Sequence, residues 1–196
     1  MNQLDNNALD QLFRNARTQY AWLPEPVSDD TLRALYDLLK MAPTSANSQP
    51  MRVIFVRTPE GKEKLAACVN PGNVEKVKSA PVTAIIGYDE SFYEHLPRMH
   101  PSAPGFRDKF VGNPAFAHAT AFRNSSMQAG YFILAARALG LGTGPMSGFD
   151  AAKLDNAFWE GKGVKTNLIC SLGHGDPAHG FPRAPRFAFE EACTLA

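Results

Sequence analysis

With 196 residues, 44% of them apolar, and a formal net charge of +1, the chain is long enough to bury one substantial core. Its 20 Lys and Arg against 19 Asp and Glu, without a basic tract, give no reason to expect a nucleic-acid partner, and no run of about 18 apolar residues is present to span a membrane. Three widely spaced cysteines (Cys68, Cys170, Cys193), none in a CxxC, and the polar, acidic opening Met1-Asn2-Gln3-Leu4-Asp5 lead to the expectation of a reducing cytoplasm.

Leu9, Leu12, Phe13 and Ala16 recur at helical spacing and predict a helix over residues 5–17, running into Arg14 and Arg17. Cations suit a helix C-terminus, and together with the Thr18 hydroxyl they also form a candidate phosphate clamp. Ser28 is placed to cap a second helix, with Asp29 and Asp30 in its first turn and Leu32, Leu35, Tyr36 and Leu39 as its apolar face. That helix is stopped by Ala42-Pro43-Thr44-Ser45-Ala46-Asn47-Ser48-Gln49-Pro50. Prolines at both ends deny this stretch a regular ladder, and short uncharged hydrogen-bonding side chains fill it. It is either an ordinary connection or the wall of a pocket for a polar, planar, neutral ligand. Val53-Ile54-Phe55-Val56 predicts a strand buried on both faces. Thr58-Pro59 predicts a helix start with its body over 60–69, followed by a turn at 70–72. Asn73 and Lys76 share one face of a helical turn, and residues 81–87 predict a second buried strand.

Residues 89–112 are aromatic, proline-rich and irregular, the composition of a lid or binding loop. Asn113 caps and Pro114 begins the longest helix, which runs to Leu139 before a Gly140 stop. Residues 129–136 are apolar all round, so they require cover on every side, and a partner subunit is inferred. Upstream lie Arg123, Asn124, Ser125, Ser126 and Gln128; mid-helix Ser and Asn are poor helix formers, which suggests that something polar docks there. Gly140, Gly142, Gly144 and Gly148 would let backbone approach a ligand closely, but the spacing is neither a dinucleotide fingerprint nor a nucleophile elbow. Asp150 caps a helix over 151–158, and residues 166–173 predict the last core strand. His174 and His179 flank Asp176 in a Gly- and Pro-rich setting that favours a turn over a metal site, and no metal is expected. No internal repeat or domain boundary is visible, so one domain over 1–196 is expected.

In this order, from Arg17 to Glu191, the pieces resemble the nitroreductase family of FMN-dependent flavoenzymes. The resemblance implies an α+β fold, with a central mixed or antiparallel sheet flanked by helices, in an intertwined homodimer. It implies that Arg17 and Thr18 hold the FMN phosphate together with the terminal basic pair Arg183 and Arg186. It implies that Pro43, Thr44, Ser45 and Asn47 reach the isoalloxazine of the other subunit's FMN, and that Asn73 and Lys76 lie near its pyrimidine edge and ribityl chain. Asn124 matches the polar point of the long dimer helix. Pro145, Met146, Ser147 and Gly148 match the loop near flavin N5, where Ser147 and Gly148 are assigned to catalysis. Tyr20 and Ser147 stand where the family usually carries a basic residue and Glu.

Within the family, Gly-Pro-Met-Ser-Gly-Phe-Asp, Phe-Arg-Asn-Ser-Ser-Met-Gln-Ala and Phe-Glu-Glu-Ala-Cys resemble the malonic semialdehyde reductases of a pyrimidine-degradation pathway. This implies ping-pong reduction of 3-oxopropanoate to 3-hydroxypropanoate with NADH or NADPH, and Arg123 is assigned to the substrate carboxylate. The alternatives are a broad nitro- or quinone-reductase, a non-catalytic FMN-binding relative, and a structural dimer module without cofactor.

Overall fold

The computed structural model describes residues 2–196; Met1, first of the polar opening stretch, lies outside them. Four strands, β1 (Met51–Val56), β2 (Val82–Asp89), β3 (Gly142–Met146) and β4 (Val164–Gly173), form one fully antiparallel sheet in the order β1-β2-β4-β3. Side chains alternate across a strand, so β2 serves two cores at once. Ala84 and Ile86 face one layer, with Leu32, Leu35 and Leu39 of α2 (Asp29–Leu39) and Phe132 and Ala136 of α6 (Pro114–Ala138). Ile85 faces the other, with Leu65 of α3 (Pro59–Ala66), Val77 of α4 (Val74–Ser79), and Leu154 of α7 (Ala151–Phe158) together with Trp159. Every residue of β2 is accordingly buried.

Local signals set the helix starts. The side chains of Ser28, Thr58, Asn113 and Asp150 each accept an N-terminal backbone N–H of the helix they precede. The expected helix over 5–17 is shorter: α1 (Asn6–Leu9) passes into a π-turn at Asp10–Arg14 and stops, which frees Arg17 from the helix. Tyr36 is half exposed instead of packed with its leucines. The strand containing Val53 is only half-buried along its middle, because β1 is an edge strand and has no neighbour on one flank. Residues 89–112 are not structureless: they hold short helical turns and α5 (Leu96–Met99) around Phe92, Leu96 and Phe110, which pack on Ala117 and Ala121. The glycine-rich stretch contains β3, where a loop was expected. At the C-terminus, α8 (Phe189–Ala192) is exposed.

The polar residues inside α6 bind this chain's own backbone. Asn124 Oδ1 accepts from Ser45 N at 2.8 Å, Gln128 Oε1 from Met51 N at 3.1 Å, and Ser125 Oγ donates to Gly87 O at 3.1 Å. Asn124, Ser125 and Gln128 are buried, while Phe116, Phe122, Met127 and Tyr131 on the opposite face are 43–46% exposed. The inward face thus carries these three polar side chains among its alanines and Phe132, while four large apolar side chains are left outward.

Candidate functional site

Two adjoining cavities share Thr18 and Tyr20 in their walls. Both depend on the segment that follows the π-turn. Thr18 bridges to Thr143, Gln19 N donates to Thr143 O at 2.9 Å, and Leu23 N donates to His174 O at 2.8 Å, so residues 18–23 lie along the end of the sheet. This approach explains the glycines of β3. A Cβ on Gly144 would stand 2.9 Å from Gln19 O, and one on Gly142 2.6 Å from Gln19 Cγ. The close neighbour at these two positions is the chain itself.

The first cavity, about 360 Å³, is lined by Arg17, Arg137, Arg183 and Arg186 with Thr18 and Tyr20, and by no acidic residue. Four guanidinium groups without a carboxylate make an anion site, since like charges this close are tolerated best when an anion sits among them. Backbone carbonyls hold all four, Arg137 through Leu12 O at 2.8 Å. Arg17 donates to Phe181 O, Arg183 to Arg14 O at 2.6 Å and Ala16 O at 3.0 Å, and Arg186 to Ala184 O and Pro185 O at 3.0 Å each. The Tyr20 ring meets Phe181 edge-on at 4.8 Å, closing the tail over this wall.

The second cavity, about 240 Å³, is lined by Thr18, Tyr20, Asn73, Lys76, Pro145, Met146, Ser147, Gly148 and Ser171. Asn73 links its parts: Nδ2 donates to Gly148 O at 3.0 Å, and Oδ1 accepts from Lys76 Nζ at 3.2 Å. The Gly148 carbonyl also accepts from Asn70 N at 3.0 Å, while its own N–H has no acceptor among the described residues. A Cβ at Gly148 would meet Asn73 Nδ2 at 2.7 Å, so a side chain here would push the Asn73 amide from its place. The Lys76 ammonium lies 5.0 Å from the Tyr20 ring centroid. An arginine-lined basin joined to a polar slot with a free backbone N–H suits an elongated ligand with a phosphate at one end and a hydrogen-bonding ring at the other.

Of the residues singled out in the sequence, the structure gathers Arg17, Thr18, Asn73, Lys76, Pro145, Met146, Ser147, Gly148, Arg183 and Arg186 around these cavities. Pro43, Thr44, Ser45, Asn47, Arg123 and Asn124 line neither. Asn124 spends its amide on Ser45 N and Thr120 O. Arg123 is exposed on the outward face of α6. Pro43, Ser45 and Asn47 are exposed on a tightly built loop. There Asn47 Nδ2 donates to Met99 O and its Oδ1 accepts from Gln49 Nε2, both at 2.7 Å. Ala46, Asn47 and Gln49 have φ of 51°, 49° and 39°, a left-handed backbone that costs roughly 1–2 kcal/mol per non-glycine residue and is held by these bonds. His174 and His179 diverge, toward Glu25 at 3.7 Å and Asp176 at 2.8 Å. The Ala178 N–H and His179 hold the Asp176 carboxyl below its ordinary value, as in a capped turn.

Arg137 was missed in the sequence. A cation in a helix's last turn reads as a partner of the helix dipole, and only the fold carries it to Arg17.

The profile of the "Nitroreductase family" matches residues 13–174. A relative from Cupriavidus pinatubonensis, named "Putative NADH dehydrogenase/NAD(P)H nitroreductase", is 55% identical over 97% of this chain and 98% of its own. HadB of Ralstonia pickettii, named likewise, is 53% identical over 96% and 97%. Among solved structures, the "putative nitroreductase ydfN" of Bacillus subtilis superposes with a TM-score of 0.85 at 22% identity, covering 98% of this chain and 100% of that one. The "putative nitroreductase in complex with FMN" from Exiguobacterium sibiricum reaches 0.84 at 19% identity over 100% of both. With the profile covering most of its length and relatives above half identity along nearly all of it, the chain belongs to the nitroreductase family.

Proposed function

We propose that the chain is an FMN-dependent oxidoreductase that takes hydride from NADH or NADPH and reduces malonic semialdehyde to 3-hydroxypropanoate, working as a homodimer. The observation that carries the reading is the acid-free arginine basin opening beside the Asn73–Lys76–Gly148 slot. Arg17, Arg183 and Arg186, with the Thr18 hydroxyl, hold the phosphate. The free Gly148 N–H is a donor for flavin N5, and Lys76, tethered by Asn73, brings positive charge to the pyrimidine edge. Bound FMN supplies the hydride acceptor and donor that no side chain here provides. The exposed Pro43, Ser45 and Asn47 and the half-buried Thr44, on the loop that Asn124 anchors, complete the ring's enclosure from the second subunit. Arg123, on the outward face of α6, supplies the cation for the substrate carboxylate. Use of one ring face by donor and acceptor in turn requires ping-pong kinetics. A second reading, reduction of flat nitro or quinone acceptors on the same site, is favoured by the names of the relatives from Cupriavidus and Ralstonia.

A visible spectrum of the purified protein, followed anaerobically through NAD(P)H and then acceptor, tests this. The expected result is flavin absorbance that bleaches with NAD(P)H and returns faster with malonic semialdehyde than with nitrofurazone. Arg123→Ala should raise KM for the aldehyde alone. Recovery with nitrofurazone only would select the second reading, and protein that stays colourless in excess FMN would reject both.

A further inference from the structure

We infer that Arg137 is a fourth phosphate ligand of the arginine basin and makes the site selective for a terminal phosphomonoester, an inference that rests on the flavin-nucleotide reading above. Arg137 lies in the last turn of α6 and lines the same cavity as Arg17, Arg183 and Arg186. Its Nη1 donates to Leu12 O at 2.8 Å, which ties it to the π-turn. Its Nε is buried and has no acceptor, and its Nη2 makes no hydrogen bond among the described residues. Nε and Nη2 form the side-on edge of a guanidinium, the edge that meets two oxygens of one oxyanion. Nη2 is thus left for an oxygen of an anion in the cavity, and Nε, covered as the side chain stands, completes a bidentate contact once the guanidinium turns toward that anion.

A purely structural Arg137 leaves this unexplained. Holding Leu12 requires only Nη1, and a buried N–H without an acceptor costs stability unless a ligand satisfies it. No carboxylate in the cavity wall supplies that acceptor. Burial and the neighbouring Arg183 charge draw the guanidinium below its ordinary value, yet an arginine so placed stays charged. A phosphomonoester dianion offers enough oxygens and charge for the free edge together with the other three arginines. The neutral ribityl end of riboflavin offers neither.

Titration of apoprotein with FMN and with riboflavin, followed by quenching of flavin fluorescence, tests the inference in wild type, Arg137→Gln and Arg137→Lys. Arg137→Gln should weaken FMN roughly ten- to a hundredfold, the effect of losing a charged bidentate contact, and change riboflavin less than about twofold. Arg137→Lys, with the charge but not the fork, should fall between. Equal losses for both ligands would mean that Arg137 only supports the π-turn and would overturn the inference, as would no loss at all. If wild type takes up no flavin, the functional reading fails separately, and thermal melts with inorganic phosphate decide: phosphate should raise the wild-type midpoint and raise that of Arg137→Gln clearly less. Equal shifts, or none in wild type, would reject the phosphate role.

Discussion

Cys170 is fully buried in β4, facing the α2–α6 layer, and burial pushes its thiol from an ordinary 9.0 up to about 12. Below pH 9 both folded and unfolded chains keep the proton. Between about 9 and 12 the unfolded chain loses it and the folded chain does not, so stability falls as pH rises, by at most about 1.4 kcal/mol per unit. Urea melts at pH 8.5 and 10.5 should therefore show a larger loss in wild type than in Cys170→Ala; equal losses would remove the thiol as the cause. At the same scale, Asn124 and Gln128 show how far a residue type can be read. The poor helix propensity of Asn124 pointed to a polar neighbour, while Gln128, a good helix former, carried no such mark. That the neighbour is the N–H of Ser45 and of Met51 depends on contacts 79 and 77 residues apart.

Elements with local start signals were the most legible. The α7 cap is one: Asp150 Oδ1 accepts from Lys153 N at 3.0 Å, while Asp150 N donates to Cys68 O at 2.8 Å. Asp150→Ala should cost about 1 kcal/mol and lower the melting midpoint by about 2–4 °C, with Asp150→Asn recovering most of it. A midpoint within 1 °C of wild type, against that roughly 2–4 °C expectation, would show that the backbone bond alone holds the start. In the glycine-rich stretch, glycine announces close approach without naming what approaches. At Gly142 and Gly144 it is Gln19, and at Gly148 the Asn73 amide. The strand at Val53 was read as fully buried because a β-branched run carries no mark of whether its flank is paired.

Over the whole molecule, the proposed dimer follows from the outward row on α6. Phe116, Phe122, Met127 and Tyr131 are each 43–46% exposed there, the kind of apolar surface that marks an interface. Met127→Glu places a charge at its centre without touching either cavity. Sedimentation velocity should show dimer in wild type and monomer in the variant, with FMN affinity reduced at least about tenfold, because loop 42–50 would no longer complete the proposed enclosure of the partner's flavin ring. A Met127→Glu protein that remains dimeric and binds FMN as wild type would separate α6 from the interface.

What the sequence determined by itself is what interactions three or four residues apart can encode: the capped starts of α2, α3, α6 and α7, the strands around Ile85 and Ile169, and an ordered series of short motifs. The tertiary structure alone decided which charges share a cavity. Arg137 meets Leu12 across 125 residues and Arg183 meets Arg14 across 169, and chain separations of that size leave no periodic trace in composition. The π-turn, the edge position of β1 and the inward polar side chains of α6 are likewise settled by what packs against them, because a propensity describes a residue and burial describes its surroundings.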